Sequence, residues 1–397
     1  MKDNKIKMLI PIYLLTFGMF FNIAILKDPF DIGAIIMAFV MCILISYAHF
    51  VVKKFFSHGD KFLVTYISIL PVIGIAVLYR LDPSIAIRQV LWFIIGISTF
   101  ISLVIILPDL TRFAKFKYVY LVFTLVFMSM SLIFGVEKYG AKNWVEIGSM
   151  SFQPAEFGKI FFVFYLASSL KDYKSFKSLI EPGIVVILSL AFMVLQKDLG
   201  AALIFTAIAI SMLYVATSKL RYLLGSLAFS AIGALFSYAI FDHIKIRIRI
   251  WKDPFLYVGD RGYQIVQGLY AIASGGLFGA GLGLGYPQYI PVNKSDYIFA
   301  VIVEELGVIF GLGVLIIYFL MFYRNIRTAL KAKSNFTSLL AVGFSVMIAM
   351  QVLVIVGGVL NMIPLTGITL PLVSYGGTSM LTIFFTLGII QKISEEV

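Results

Sequence analysis

The sequence predicts an all-α fold: a polytopic membrane helix bundle of about twelve transmembrane helices. Three observations predict it. Of 397 residues, 61% are hydrophobic and 13% charged, with a mean hydropathy of +1.00; a water-soluble domain has to wet its exterior and is never this apolar. Apolar stretches near the length of about 20 residues that crosses a hydrocarbon core recur along the chain. Basic residues collect in alternate connections between those stretches.

In order, the spans fall near residues 8–26, 31–52, 62–79, 88–107, 117–135, 157–170, 182–196, 200–217, 221–241, 297–323, 337–360 and 372–391. The sixth and seventh are short. With the N-terminus inside, 19 of the 32 basic residues, from Lys2 to Lys392, lie in inner connections. Thirteen lie outside, six of them between Lys245 and Lys294. Long loops translocate largely regardless of charge, so the comparison is 19 against 7, and both termini are expected in the cytoplasm. The same distribution accounts for the net charge of +12 without a nucleic-acid partner. The first span follows MKDNKIK without a small-residue cleavage site and reads as an uncleaved anchor. A single cysteine, Cys42, excludes an internal disulfide, and His49, His58 and His243 are too scattered for a zinc site.

The long connection 242–296 is expected outside the membrane and functional, as loops of such length usually are. From His243 to Trp251 basic residues alternate with Ile244, Ile246, Ile248 and Ile250. Period two suggests a strand, but an isolated strand has no partner for its backbone, so a surface-lying segment is the other reading. The glycine-rich run from Gly262 to Gly285 follows, with a helical stretch near Tyr263–Ala273 too short to span. It reads as a re-entrant or interfacial helix ended by Gly275 and Gly276, helping to build a cavity. A backbone nest for pyrophosphate in residues 275–285 is a further reading.

Ionisable groups in or beside spans are costly and are candidates by default. They are Glu156, Lys159, Lys197, Asp198, Asp296, Glu304 and Glu305. Asp296, in PVNKSDYIF, reads locally as a helix N-cap or as a general base at a cavity mouth. Glu304, eight residues on, lies about 80° around and about 12 Å along the same helix, which does not suit a carboxylate pair acting across one glycosidic bond. A salt bridge to a neighbouring span is the expected use of Glu304 and Glu305. Trp144 reads as an interfacial aromatic and Lys142 as a loop charge. Pro371, Ser374, Gly376 and Gly377 imply close packing or a broken helix near the last span.

Six stretches together resemble the SEDS family of RodA, FtsW and SpoVE proteins. They are GAKNWVEIGSMSFQPAEFGK, QKDLGAALIF, RIWKDPF, GYQIVQGLYAIASGGLFGAGLG, IPVNKSDYIFAVIVEELG and NMIPLTGITLPLVSYGGTS, in family order over roughly 85% of the chain. The family core has ten spans, so residues 1–57 add two helices to a core of residues 58–397. Ala155 stands where the family has Ser in QPSE, and Lys197 where it has Pro in QPDLG; neither change removes a carboxylate.

The resemblance implies a peptidoglycan glycosyltransferase that polymerises lipid II by inverting glycosyl transfer at the outer face of the bacterial cytoplasmic membrane, for division, elongation or sporulation. The alternative is a lipid II flippase without catalysis. Asp296 matches the family's essential aspartate, as general base. Trp144 and Glu156 match positions lining the same cavity. Lys142, Lys197, Arg247, Arg249 and Lys252 are available to the leaving pyrophosphate, with Arg249 the first choice. Lys159, Asp198, Gln264, Gln267, Gly276, Glu304, Ser374, Gly376 and Gly377 complete the substrate-binding candidates. Asp253 and Asp260 remain alternative bases. A divalent cation, Mg or Mn, is compatible with the chemistry, with ligands unknown. The implied partner is a class B penicillin-binding protein.

Overall fold

The structure, a computed structural model, describes residues 4–55, 59–138, 140–148 and 150–396. Lys2 and His58 of the readings above lie outside the described residues. Helices α1 (Asn4–Ile25) and α2 (Ile32–Phe55) pack as a pair, and both reach α3 (Lys61–Leu81). Asp60 caps α3 by accepting from the amide of Phe62, and Arg324 grips the same carboxylate at 2.6 and 2.7 Å. Asp82 ends α3 and starts α4 (Pro83–Ile106), where Pro83 fills a first-turn position that needs no amide hydrogen. Then come α5 (Lys117–Phe134), α6 (Pro154–Leu170), α7 (Ile180–Leu195), α8 (Leu199–Thr217) and α9 (Leu220–Ile240).

Between α5 and α6 lies a three-stranded antiparallel sheet, β1 (Val136–Lys138), β2 (Ala141–Ile147) and β3 (Met150–Phe152). The all-α expectation passed over it. Gly140 and Gly148 adopt positive φ of 80° and 62°, which lets the chain reverse twice. Ala141, Asn143 and Val145 then alternate inward along β2.

The long connection is helical where a strand was one of two readings. Residues His243 to Trp251 lie within α10 (Asp242–Lys252). With no partner strand at hand, the backbone satisfies itself by helix formation, burying Ile244 and Ile250. The short helix expected near Tyr263–Ala273 is α11 (Tyr263–Gly275), closed by Gly276 at φ 54°. The bundle is completed by α12 (Ile298–Lys331), α13 (Asn335–Val359) and α14 (Gly377–Glu395).

Nine described segments are long and apolar enough to cross a bilayer: α2 to α5, α7 with the 3-10 turn before it, α8, α9, α12 and α13. Helices α1, α6 and α14 stand at the other three expected places. Over α1 the apolar stretch is the shorter Leu9–Ile25, and α6 has 17 residues and carries Glu156 and Lys159. Burial sorts the bundle: 89% of the apolar window of α3 and 78% of that of α13 are buried, against none of α9. Helices apolar all round belong inside a bundle or against lipid. Here α3 and α13 form the centre, and α9 stands at the margin.

The last feature is a break in α12. Gly307 takes φ 85° and ψ 165°, a conformation open essentially to glycine alone. The freed carbonyls of Glu304 and Glu305 accept from the amides of Ala280 and Gly281 at 2.9 Å. The amides of Val308 and Ile309 donate to Gly276 and Leu277. Glycines at 275, 279 and 307 let the two backbones touch, since a Cβ at any of them would strike main-chain atoms.

Candidate active site

Asp296 lies two residues before α12, and its carboxylate caps nothing: the N-cap of that helix is Tyr297, without a side-chain bond. The local N-cap reading is therefore corrected. The carboxylate accepts from Ser295 Oγ at 2.9 Å. Loss of hydration outweighs that bond and pushes its pKa up to about 6. Above it runs the loop 361–376, where Gly367, at φ 74°, leaves room: Asp296 Oδ2 lies 3.4 Å from where a Cβ would sit.

That loop is held in place at several points. Ser374 Oγ donates to the carbonyl of Ser295 at 2.6 Å and accepts from the amide of Leu370 at 2.8 Å. The amide of Tyr375 donates to Lys294, whose ammonium pairs with Asp82 at 2.9 Å. The hydroxyl of Ser84, followed by Lys294, holds the Asp82 carboxyl well below the usual range. Gln89 donates to the Ser374 carbonyl and accepts from the amide of Gly376. A side chain on Gly377 would collide with the indole of Trp92. At the loop's start, Trp251 and Asn361 exchange hydrogen bonds of 3.0 and 3.2 Å, tying α10 to it. Ser374, Gly376 and Gly377 thus shape the site through protein contacts.

Beneath the loop lies a buried polar chain. Lys159 pairs with Glu156 at 2.7 Å and donates to Gln351 at 3.3 Å. Gln351 donates to the carbonyl of Thr369. Thr382 donates to the other Glu156 oxygen at 3.1 Å. The two charges satisfy each other and tie α6, α13 and α14 to the loop.

On the far side, Asp198 caps α8 through the amide of Ala201 and accepts from Asn143 Nδ2 at 2.7 Å. Arg247 of α10 feels that carboxylate. Burial draws the guanidinium's pKa down while Asp198 pushes it back, and one of its buried nitrogens, Nη1, has no hydrogen-bond partner. His243 Nε2, Asn143 Oδ1 and Thr366 Oγ1 are likewise buried and unpaired. Burial, then Arg247 and Lys197, push the pKa of the His243 imidazole below its ordinary value. Thr366 packs within 3.0 Å of where a Cβ on Gly200 would lie, and Gly367 beside it faces Asp296. Consecutive Cα atoms are about 3.8 Å apart, so the first turn of α8 and Asp296 approach to within on the order of 10 Å.

Several other candidates are occupied elsewhere. The ammonium of Lys142 donates to the carbonyl of Leu132 at 2.8 Å, and its amide to Gln196. Lys197, at φ 62°, pairs with Glu137 at 3.5 Å. Arg249 and Lys252 are exposed on α10, whereas Arg247 is half-buried there. Glu305 forms the expected ion pair, with Arg80 of α3 at 2.9 Å, and accepts from the amide of Gly283; Glu304 makes none among the described residues, its Oε1 accepting from the amide of Tyr286 and its Oε2 buried without a partner. These bonds consume amides that a pyrophosphate nest would need, which corrects that reading, and the carbonyl of Gly276 is taken by Val308. Gln264 and Gln267 are half-buried on α11, and Trp144 is half-buried on β2. Asp253 and Asp260 are exposed. Asn143, Gln351 and Arg80 were not anticipated. The polar Gln351 within an otherwise apolar span was a usable signal.

Among the described residues no three ligating side chains converge on a metal position. Glu156 is paired with Lys159, and Asp198 caps α8 and accepts from Asn143.

The family model for the FTSW_RODA_SPOVE cell cycle proteins matches residues 62–397. Peptidoglycan glycosyltransferase RodA of Mycobacterium bovis is 33% identical, over 92% of this chain and 84% of its own. Stage V sporulation protein E of Bacillus subtilis is 34% identical, over 80% and 89%. A chain from a solved peptidoglycan synthase complex that coordinates polymerization and crosslinking superposes with a TM-score of 0.74 at 26% identity, covering 85% of this chain and 98% of that one. Rod shape determining protein RodA of Thermus thermophilus superposes with a TM-score of 0.65 at 26% identity, over 85% and 97%.

Proposed function

The chain belongs to the FtsW, RodA and SpoVE family and is a multi-pass membrane peptidoglycan glycosyltransferase, and from that premise we propose that it polymerises lipid II with Asp296 as general base. The observation that carries the assignment is a half-buried carboxylate that caps no helix, keeps one hydroxyl donor and has its pKa pushed up to about 6. A base of that strength is ionised at neutral pH and still accepts a proton readily.

In the proposed step the acceptor's sugar hydroxyl attacks the anomeric carbon of the donor. Its proton passes to Asp296 as the new glycosidic bond forms. The bond from that carbon to the pyrophosphate oxygen breaks, the electron pair stays on that oxygen, and the configuration inverts. Pyrophosphate leaves well without a general acid, but its charge needs fixed cations. Arg247, half-buried with its Nη1 buried and unpaired, is a cation available for that charge.

The proposed orientation puts the 242–296 connection and the site outside, with both termini in the cytoplasm. Helices α1 and α2 precede the matched residues 62–397 and are proposed as an addition to the family core. A class B penicillin-binding protein, cross-linking the new glycan, is the proposed partner. The test is polymerisation of labelled lipid II by the purified chain, by Asp296→Asn and by Arg247→Gln, each with and without divalent metal. Long glycan from the parent and none from an equally folded Asp296→Asn supports the base. Equal glycan from both would move the search to Asp253 and Asp260. A chain that only translocated lipid II would give no polymer, and its flipping would survive Asp296→Asn.

A further inference from the structure

We propose that the cavity at the end of the bundle opposite Asp296 holds one acyl chain of an anionic phospholipid. The cavity measures about 330 Å³ and lies between α8, α9, α12 and α13, a volume in the range of pockets that enclose small ligands. Ile326 and Leu330 line it; at 1.5 Å per residue they lie roughly 27 and 33 Å along the helix from Val308, on the side of the Gly307 break away from Asp296. Glycosyl transfer beside Asp296 therefore has no use for this space.

Its walls are mostly aliphatic, with the hydroxyls of Ser211 and Tyr214 among them. Ile210 and Val215 of α8, Leu223 of α9 and Val346 of α13 face it. Ser338 also lines it, but its hydroxyl already donates to the carbonyl of Ala329 at 2.8 Å. Along the aliphatic walls water would forfeit hydrogen bonds, since a buried water needs two to four polar partners. Helix α9 contributes no buried residue and so does not seal the space from its surroundings. In a bilayer those surroundings are hydrocarbon, and a lipid tail is the material at hand to fill it.

Charge selects the lipid. Lys219 and Arg221 stand within one turn of Leu223, and Arg327 and Lys331 adjoin Ile326 and Leu330. Residues 199–241 and 306–394, which supply all four walls, contain no Asp or Glu. Asp60 engages Arg324 but none of these four cations. Lys219 rests on the rings of Tyr173 and Tyr222 at 5.2 and 5.9 Å, and Arg221 on Tyr222 at 4.9 Å. Aromatic rings beside cations with no carboxylate on the same walls mark a headgroup boundary suited to a lipid phosphate. In the proposed orientation this is the cytoplasmic leaflet, whose surface is anionic.

The full chain would be reconstituted into nanodiscs of equal phosphatidylglycerol and phosphatidylcholine with identical acyl chains. Lipid retained after mild detergent extraction would be counted by native mass spectrometry. The expected result is one phosphatidylglycerol per chain, favoured about tenfold over phosphatidylcholine. Ala329→Phe fills the cavity and should cut retention of either lipid about tenfold. Val346→Phe fills it from the opposite wall and serves if the first variant misfolds. Lys219→Gln with Arg221→Gln should abolish the preference for phosphatidylglycerol while a lipid is still retained. Lipid II polymerisation by the variants checks that they are folded. Equal retention of the two lipids by the parent, or parental retention by a folded cavity-filled variant, would overturn the proposal.

Discussion

The hydroxyl of Ser374 donates to the carbonyl of Ser295 at 2.6 Å, joining segments 79 residues apart in the chain. Ser295 in turn donates to Asp296. The position of the proposed base is thus set from the loop above it, and what disturbs that loop should disturb the chemistry before it disturbs substrate binding.

Ser374→Ala leaves the amide of Leu370 and the carbonyl of Ser295 without their shared partner. The stability cost should be about 1–3 kcal/mol. Steady-state polymerisation should show kcat reduced on the order of tenfold or more, with KM changed far less, because misplacing a base acts on the transition state. A rise in KM at constant kcat would mean that Ser374 binds substrate directly.

The rate should follow the ionised fraction of Asp296. With a pKa of about 6 in the folded chain, kcat/KM should be level above neutrality. It should fall about tenfold per pH unit well below 6. Initial rates between pH 5 and 8, with folding checked at each pH, decide this; a profile flat to pH 5 would exclude Asp296 as the titrating base.

The same shift predicts that Asp296→Asn is more stable than the parent at neutral pH. The folded carboxyl keeps its proton up to about pH 6, whereas its ordinary value is 3.8. Between those values the unfolded chain binds fewer protons, so stability falls as pH rises through the window and the full penalty persists above it. Allowing for residual solvent at a half-buried group, the variant should gain on the order of 1 kcal/mol at pH 7.5 and nothing below about pH 4. Melting temperatures in detergent at both pH values provide the measurement.

Breaking the Glu156–Lys159 pair should be costly in one direction only. Glu156→Gln strands a buried ammonium and should cost about 3–5 kcal/mol. Glu156→Gln combined with Lys159→Met removes both charges and should recover most of that loss. A double-mutant cycle on thermal stability would show the coupling; strictly additive effects would contradict it.

The bundle was readable because lipid imposes a length on every span, and each of the twelve apolar stretches coincides with a helix. Asp296 was readable from its motif, but its freedom from capping was not, since that depends on helix α12 starting at Ile298. The choice between Arg247 and Arg249 turned on secondary structure. Alternation puts both on one side of a strand, but two residues on a helix are about 200° apart, so one faces inward and the other outward. The partners of Glu304 and Glu305 come from a loop and a distant helix, and no local pattern announces them.

The break at Gly307 also bears on how the chain is made. Glu305 follows Arg80 by 225 residues. During synthesis α3 enters the membrane with a guanidinium at one end whose carboxylate has not yet been translated. The upper turns of α12 cannot settle until the glycine-rich segment, made just before them, lies against the open carbonyls of Glu304 and Glu305. Insertion of the early helices and completion of the site are therefore separate events. Ser374, which fixes the wall carrying Asp296, lies 79 residues beyond Ser295, so a chain truncated or stalled before it would sit in the membrane without an assembled site.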